Sequence, residues 1–361
     1  MKLLLDLFEN TKLMMETKLF SPFKPVHEAL ENFFFGPHDA AQCSPFARDA
    51  IDLKRYMSMV IIGMLPAVLA AYYFFGLRII AMIIISYMAG GLVEVIFAAV
   101  RKEPIAEGFL VTGLIFPLVL PPNLPLWMIA VGVMFGVFVG KELFGGTGRN
   151  IFNPAIVARC FLMLAYPADM SGNWIIPGSS LFGRAFEFTT AGSLDAITTA
   201  TPLGLAKSGQ LTSLLDLFVG NVSGCIGETS AILIIIGGVI LLLTKVANYR
   251  TVISTIVSAF VLAFILHGAN PEKYPPALWS VLAGGLLFGA FFMATDPVSS
   301  PSTNSAKWGY GIIIGTVTIL IRNFSGYVEG VTFAILLGNI VAPILDEIVI
   351  KFRIRSLANE G

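Results

Sequence analysis

Long apolar runs separated by short polar turns occupy most of the chain. Six of them approach the roughly 20 apolar residues that a membrane-spanning helix needs: 57–75, 79–99, 124–140, 251–267, 276–294 and 330–350. Four shorter runs, 108–121, 155–166, 230–244 and 309–321, are in several cases closed by Pro or Gly, as in Leu120-Pro121-Pro122. Such runs suit broken spans packed against protein rather than lipid. The pattern therefore predicts an all-α integral membrane fold of about ten transmembrane helices, several short or broken. The polar stretch 167–229 divides them into two groups of five, 56–166 and 230–350. A repeated unit with an odd number of spans must be inverted, so two inverted five-helix repeats are expected. They are flanked by an N-terminal extension, 1–55, and a tail, 351–361.

Composition agrees with this picture. Hydrophobic residues make up 56% of the chain and charged residues 13%, against roughly 25% charged in soluble domains. The formal net charge is zero, so no basic footprint for nucleic acid is present. Cys43, Cys160 and Cys225 form no CxxC pair, which leaves the chain without ligands for a four-cysteine cluster of its own. At the start, Asp6 and Glu9 interrupt the apolar Met1-Lys-Leu-Leu-Leu5, too short a run for a secretory core, so the N-terminus is expected to be retained.

Basic residues set the expected orientation, because cytoplasmic loops carry the Lys/Arg excess. Ten spans with both termini inside place Lys54, Arg55, Arg101, Lys102, Lys141, Arg149, Lys245, Arg250, Lys307, Lys351, Arg353 and Arg355 in the cytoplasm. The exceptions are Arg78, Arg184, Lys207, Lys273 and Arg322. The 167–229 loop is then extracytoplasmic. A weak internal echo links Gly145-to-Ala155 with Leu337-Gly-Asn-Ile-Val-Ala-Pro343, and Glu103-Pro104 with Asp296-Pro297.

Several ordered motifs carry a family resemblance: Arg48-to-Arg55, Gly90-Gly-Leu-Val-Glu94, Glu107-Gly-Phe109, Phe144-Gly-Gly-Thr-Gly-Arg-Asn-Ile-Phe-Asn-Pro154, Gly224-Cys-Ile-Gly-Glu228 and Phe292-Met-Ala-Thr-Asp-Pro-Val298. From about Ser44 to Ile350 the chain resembles the NqrB/RnfD family, whose members are membrane subunits of the sodium-translocating NADH:quinone oxidoreductase and of the Rnf complex. The long N-terminal extension and Asp52-Leu-Lys-Arg55 read like the sodium-pumping branch. Thr199-Ala-Thr-Pro-Leu203 reads more like Rnf, whose complex exchanges electrons between ferredoxin and NAD.

The resemblance implies an FMN phosphoester on Thr201, at the end of Thr198-Thr199-Ala200-Thr201, where the second position departs from the family's Gly. Asp195 is a candidate metal or orienting residue for that attachment, which a flavin transferase performs. A non-covalent riboflavin is also implied, with Asn150, Asn153 and Thr112 as its candidate contacts. A helix cap or turn is the plain reading of that Gly-rich segment. Gly90 and Gly91 match the glycine pair near the family's quinone pocket, although adjacent glycines equally serve close helix packing. Glu94 and Asp296 are functional candidates, since a charge within a span costs at least ~2.5 kcal/mol, and the resemblance implies a Na+-coupling role for them. Helix termination is the alternative for Asp296 and helix-dipole complementation the reading for Glu228. His38 and His267 read as structural or surface residues, and Trp127, Trp279 and Trp308 as interfacial anchors.

The function implied is that of one link in a redox relay in the bacterial inner membrane, passing electrons through FMN and riboflavin to quinone. NADH-oxidising, FMN-bearing and iron–sulfur subunits would be its partners. A flavin-free small-solute channel or transporter, or a scaffold without cofactor, would share the same span pattern.

Overall fold

The computed structural model describes residues 53–102, 108–171, 174 and 200–360, and among them every regular element is helical. The main helices of the first group are α1 (Leu53–Phe75), α2 (Arg78–Arg101), α3 (Gly108–Leu118), α4 (Leu126–Gly140) and α5 (Pro154–Ala165). Short helices α6 (Pro167–Ser171), α7 (Pro202–Lys207) and α8 (Leu214–Val219) follow. The second group comprises α9 (Ala231–Leu243), α10 (Tyr249–Ala269), α11 (Ala277–Leu282), α12 (Leu286–Phe288), α13 (Asn304–Phe324) and α14 (Val331–Glu360). The described parts of α1, α2, α4, α10 and α14 are long and apolar enough to cross a membrane. Together with the shorter apolar helices α3, α5 and α9, they make the chain a multi-pass membrane protein.

All ten apolar runs are helical, but the eighth is not one helix. Residues 276–294 divide into α11, an extended break at Ala283, α12 and a π-helical turn over Gly289–Met293. Gly284 lies in the left-handed region at φ +64°, and a Cβ there would collide with Glu329 and Leu203. The break therefore demands glycine. Backbone freed by broken helices has no water to bond inside a bilayer, and here other segments supply the partners. Beyond α3, the N–H groups of Gly227 and Ile226 donate to the carbonyls of Leu118 and Leu120, at 2.6 and 3.1 Å. The Gly285 N–H donates to Glu329 Oε2 at 3.0 Å.

Within the first group α2 packs on α3 and α4, α4 on α5, and α3 on α1 and α5. In the second, α10 packs on α11 and α13, α13 on α14, and the π-helical turn on α9 and α14. Between the groups α1 meets α9 and α5 meets α14. The α1–α9 contact is close enough that a Cβ at Gly237 would overlap the Gly63 carbonyl. Backbone cannot yield as a side chain does, so Gly237→Ala is expected to destabilise by about 1–3 kcal/mol or more. A thermal melt in detergent checks it against Gly268→Ala, which meets open space.

The two segments of the sequence echo sit where they were expected, one before its span and one within it: Asn153 caps the start of α5, whereas Asn339 lies inside α14 and meets the Tyr310 hydroxyl at 2.8 Å. Trp279 is also corrected: it is 2% exposed, donates from Nε1 to the Thr212 carbonyl at 2.9 Å, and packs with Leu203, Leu217 and Ala283. Trp127 and Trp308 are exposed, as interfacial anchors would be. His267 is structural, its Nδ1 lying 2.7 Å from the Tyr274 carbonyl.

Candidate functional site

Two cavities lie at different levels of α5. The wider, about 550 Å³, is lined by Arg159 and Met163 of α5, by Thr201 and Leu203, and by Cys225, Glu228 and Glu329. The narrower, about 50 Å³, is lined at the start of α5 by Asn150 and Asn153, and by Thr112, Lys141 and Asp296.

Thr201 stands at the N-cap of α7, where Pro202 presets the first helical turn and the Gly204 N–H donates to Oγ1 at 3.2 Å. Oγ1 accepts in that bond, and among the described residues its proton, which a phosphoester would replace, has no acceptor. Leu203, buried beside Trp279, pins α7 from below, and Lys207 Nζ donates to the Ser325 and Tyr327 carbonyls at 2.9 and 2.8 Å. Asp195, Thr198 and Thr199 lie outside the described residues, as do Glu103, Glu107, Arg184, Cys43 and His38.

Under Thr201 lies a buried charge cluster that the sequence did not announce. Arg159 Nη1 bonds Glu228 Oε1 at 3.1 Å, and Nη2 reaches Cys225 Sγ at 3.5 Å. Arg322 donates to Glu329 Oε1 at 2.9 Å and to the Ser280 carbonyl at 2.7 Å. Burial by itself raises the Glu329 carboxyl, but the guanidiniums of Arg322 and Arg159 and the Gly285 N–H outweigh it and hold it below the usual glutamate range. Glu228 is thus an ion-pair partner of a buried arginine, which replaces the helix-dipole reading. Arg322 and Arg78, exceptions to the basic-loop pattern, are buried too, and Arg78 donates to the Leu124 carbonyl at 2.8 Å. Burial and these bonds account for both arginines without reference to either face of the membrane, so they do not bear on orientation.

The candidate residues at the narrow cavity come together, yet the side-chain oxygens of both asparagines are already committed. Asn150 Oδ1 accepts from the Gly148 N–H at 3.3 Å while Nδ2 donates to the Phe152 carbonyl at 2.9 Å. Asn153 Oδ1 caps α5 through the Ala155 N–H at 3.0 Å. These are the cap and turn of the plain reading. At about 50 Å³ the space falls below the roughly 300 Å³ at which ligand pockets begin. A flavin ring does not fit the cavity as packed.

Glu94 is 4% exposed and pairs with Lys141 Nζ at 2.6 Å, while its Oε2 is unpartnered. Lys141 also lines the narrow cavity, and so connects Glu94 to the space that Asp296 borders. Asp296 accepts from Ser299 N and Oγ at 3.3 and 2.6 Å. No cluster of three or more metal-ligating His, Cys, Asp or Glu occurs among the described residues. Gly90 lies under the Phe109 ring, which a Cβ would approach to 2.5 Å, whereas at Gly91 the same contact is 3.4 Å. The room made by the glycine pair is filled by that ring.

Comparison with known proteins shows the family. A family model described as NQR2, RnfD, RnfE family matches residues 40–355. The chain is 36% identical to the B-type subunit of the Na(+)-translocating NADH-quinone reductase of Azotobacter vinelandii, covering 93% of this chain and 94% of that protein. The corresponding protein of the same name from Klebsiella pneumoniae (strain 342) is 35% identical, over 94% and 95%. With the match spanning nearly its whole length, the chain belongs to the NQR2, RnfD, RnfE family.

Proposed function

We propose that this chain is a membrane component of a sodium-translocating NADH:quinone oxidoreductase, holding FMN as a phosphoester on Thr201 and serving electron transfer to quinone coupled to Na+ movement. The observation that carries the flavin site is the 550 Å³ cavity with Thr201 in its wall, a volume within the range of ligand pockets. The relatives' names support the sodium-translocating branch over Rnf. Once bound, the flavin supplies reversible electron uptake. The chain's own residues do the rest: Met163 and Leu203 present apolar wall, Tyr327 an aromatic face, and the Thr201 cap fixes the anchoring oxygen. Riboflavin, the second flavin of the resemblance, has Thr112, Asn150 and Asn153 assembled but lacks room there, so no electron path is drawn through that cavity.

The matching helix pairings support two inverted five-helix repeats, and we place the Thr201 loop outside an inner membrane with both termini in the cytoplasm. NADH oxidation and iron–sulfur chemistry belong to partner subunits, and a transferase attaches the FMN. For quinone, access to Gly90 and Gly91 requires rotation of Phe109. For sodium, Glu94, paired with Lys141, and Asp296, which borders the same cavity as that lysine, are the carboxylates. Glu94→Gln and Asp296→Asn are expected to raise the sodium concentration needed for half-maximal quinone reduction. An unchanged sodium dependence in both removes them from coupling.

The flavin itself is tested by running the purified, denatured protein on a gel. A band fluorescing under ultraviolet light is expected. A dark band from cells carrying the transferase leaves a flavin-free transporter or scaffold as the reading.

A further inference from the structure

Arg159 is the sole cation among the described residues lining the Thr201 cavity, facing it together with two carboxylates. One of those carboxylates is committed elsewhere and the other is the counter-charge of Arg159 itself. Glu329 accepts from Arg322, from the Gly285 N–H and from the Gly330 N–H, and Glu228 Oε1 is bound by Arg159. A guanidinium carries five N–H donors in a rigid fork. Two atoms of this one are engaged, Nη1 by Glu228 and Nη2 by Cys225. The residue is 7% exposed, so its charge acts through a poorly screening surrounding.

Electron uptake by a flavin loads negative charge onto its ring, and a fixed cation favours the loaded form. Resting on the Thr201 reading above, we propose that Arg159 sets the midpoint potential of the flavin in this cavity, with Glu228 and Cys225 holding the guanidinium at the wall. Glu228 then has a second role: as the counter-charge of Arg159 it moderates the effect. The two residues should therefore shift the potential in opposite directions, which a merely structural ion pair would not do.

The test is a spectroelectrochemical titration of the purified complex at fixed pH, with the Thr201-linked flavin isolated as the difference from Thr201→Val. Arg159→Gln, which keeps an amide donor for Glu228 but loses the charge, is expected to lower the reduced-to-oxidised ratio at a fixed potential at least tenfold. That corresponds to about 30 mV for a two-electron couple. Arg159→Lys should fall between it and the native protein, and Glu228→Gln should shift the ratio upward. Unchanged potentials in Arg159→Gln, with the band still fluorescent, overturn the inference and leave the flavin site standing. A dark native band instead overturns the site. Should Arg159→Gln fail to accumulate, Glu228→Gln decides: an upward shift supports the role, while no shift or a downward one removes it.

Discussion

Thr201→Val is expected to abolish the ultraviolet fluorescence of the denatured protein, while Thr201→Ser retains it. Valine keeps the shape of threonine and removes the oxygen through which a phosphoester would form. It also removes the cap on α7, which accepts the Gly204 N–H, at a cost of about 1 kcal/mol. That loss does not unfold the segment, because Leu203 stays packed beside Trp279 and Lys207 still binds the Ser325 and Tyr327 carbonyls. A dark Thr201→Val band from a protein of native size in detergent therefore reports the lost hydroxyl. Serine restores both the oxygen and the cap. A band that still fluoresces in Thr201→Val moves the attachment to another hydroxyl.

Lys141→Met carries the second large effect. Lys141 and Glu94 are 3% and 4% exposed and pair at 2.6 Å. Removing one member strands the other charge, which costs about 3–5 kcal/mol for a buried pair. A thermal melt of the purified protein should show a marked loss for Lys141→Met. The double variant Lys141→Met with Glu94→Gln should recover most of it, because two neutral groups remain. Non-recovery would mean that the lysine stem, and not the ion pair, provides the stabilisation. Arg101, which binds the neighbouring Glu142 carboxylate at 2.7 Å as well as its carbonyl, serves as the partly exposed control with a smaller effect.

The long spans were legible because apolar length alone specifies them. α1, α2, α4 and α10 fall within a few residues of the expected runs, and α14 continues its run into the tail. The broken eighth span was less so. Its Gly284-Gly285 pair is visible in the sequence, but the reason for the break is Glu329, 44 residues away, bonding the freed N–H. The same distance problem hid the ion pairs. Glu94 was singled out as a lone intramembrane carboxylate, yet its partner lies 47 positions on, and Arg159 lies 69 positions before Glu228. Loop basic residues were weighed for orientation by number, so the burial of Arg78 and Arg322 was invisible until their carbonyl and carboxylate partners were located. Trp279 misled for the same reason, since the short helices carrying Leu203 and Leu217 cover it. Thr112, Asn150 and Asn153 were read as one group and do line one cavity, which Asp296, read separately, also borders. What motif matching could not show was that the Asn150, Asn153 and Asp296 side-chain oxygens are spent on caps and turns.

The bond at Thr201 is read by mass spectrometry of the proteolytic peptide spanning it, from the complex purified out of cells that carry the flavin transferase. The expected added mass is that of FMN less one water, with fragment ions placing it on Thr201. A peptide with Thr201 unmodified, or with the added mass on Thr198 or Thr199, would contradict that assignment.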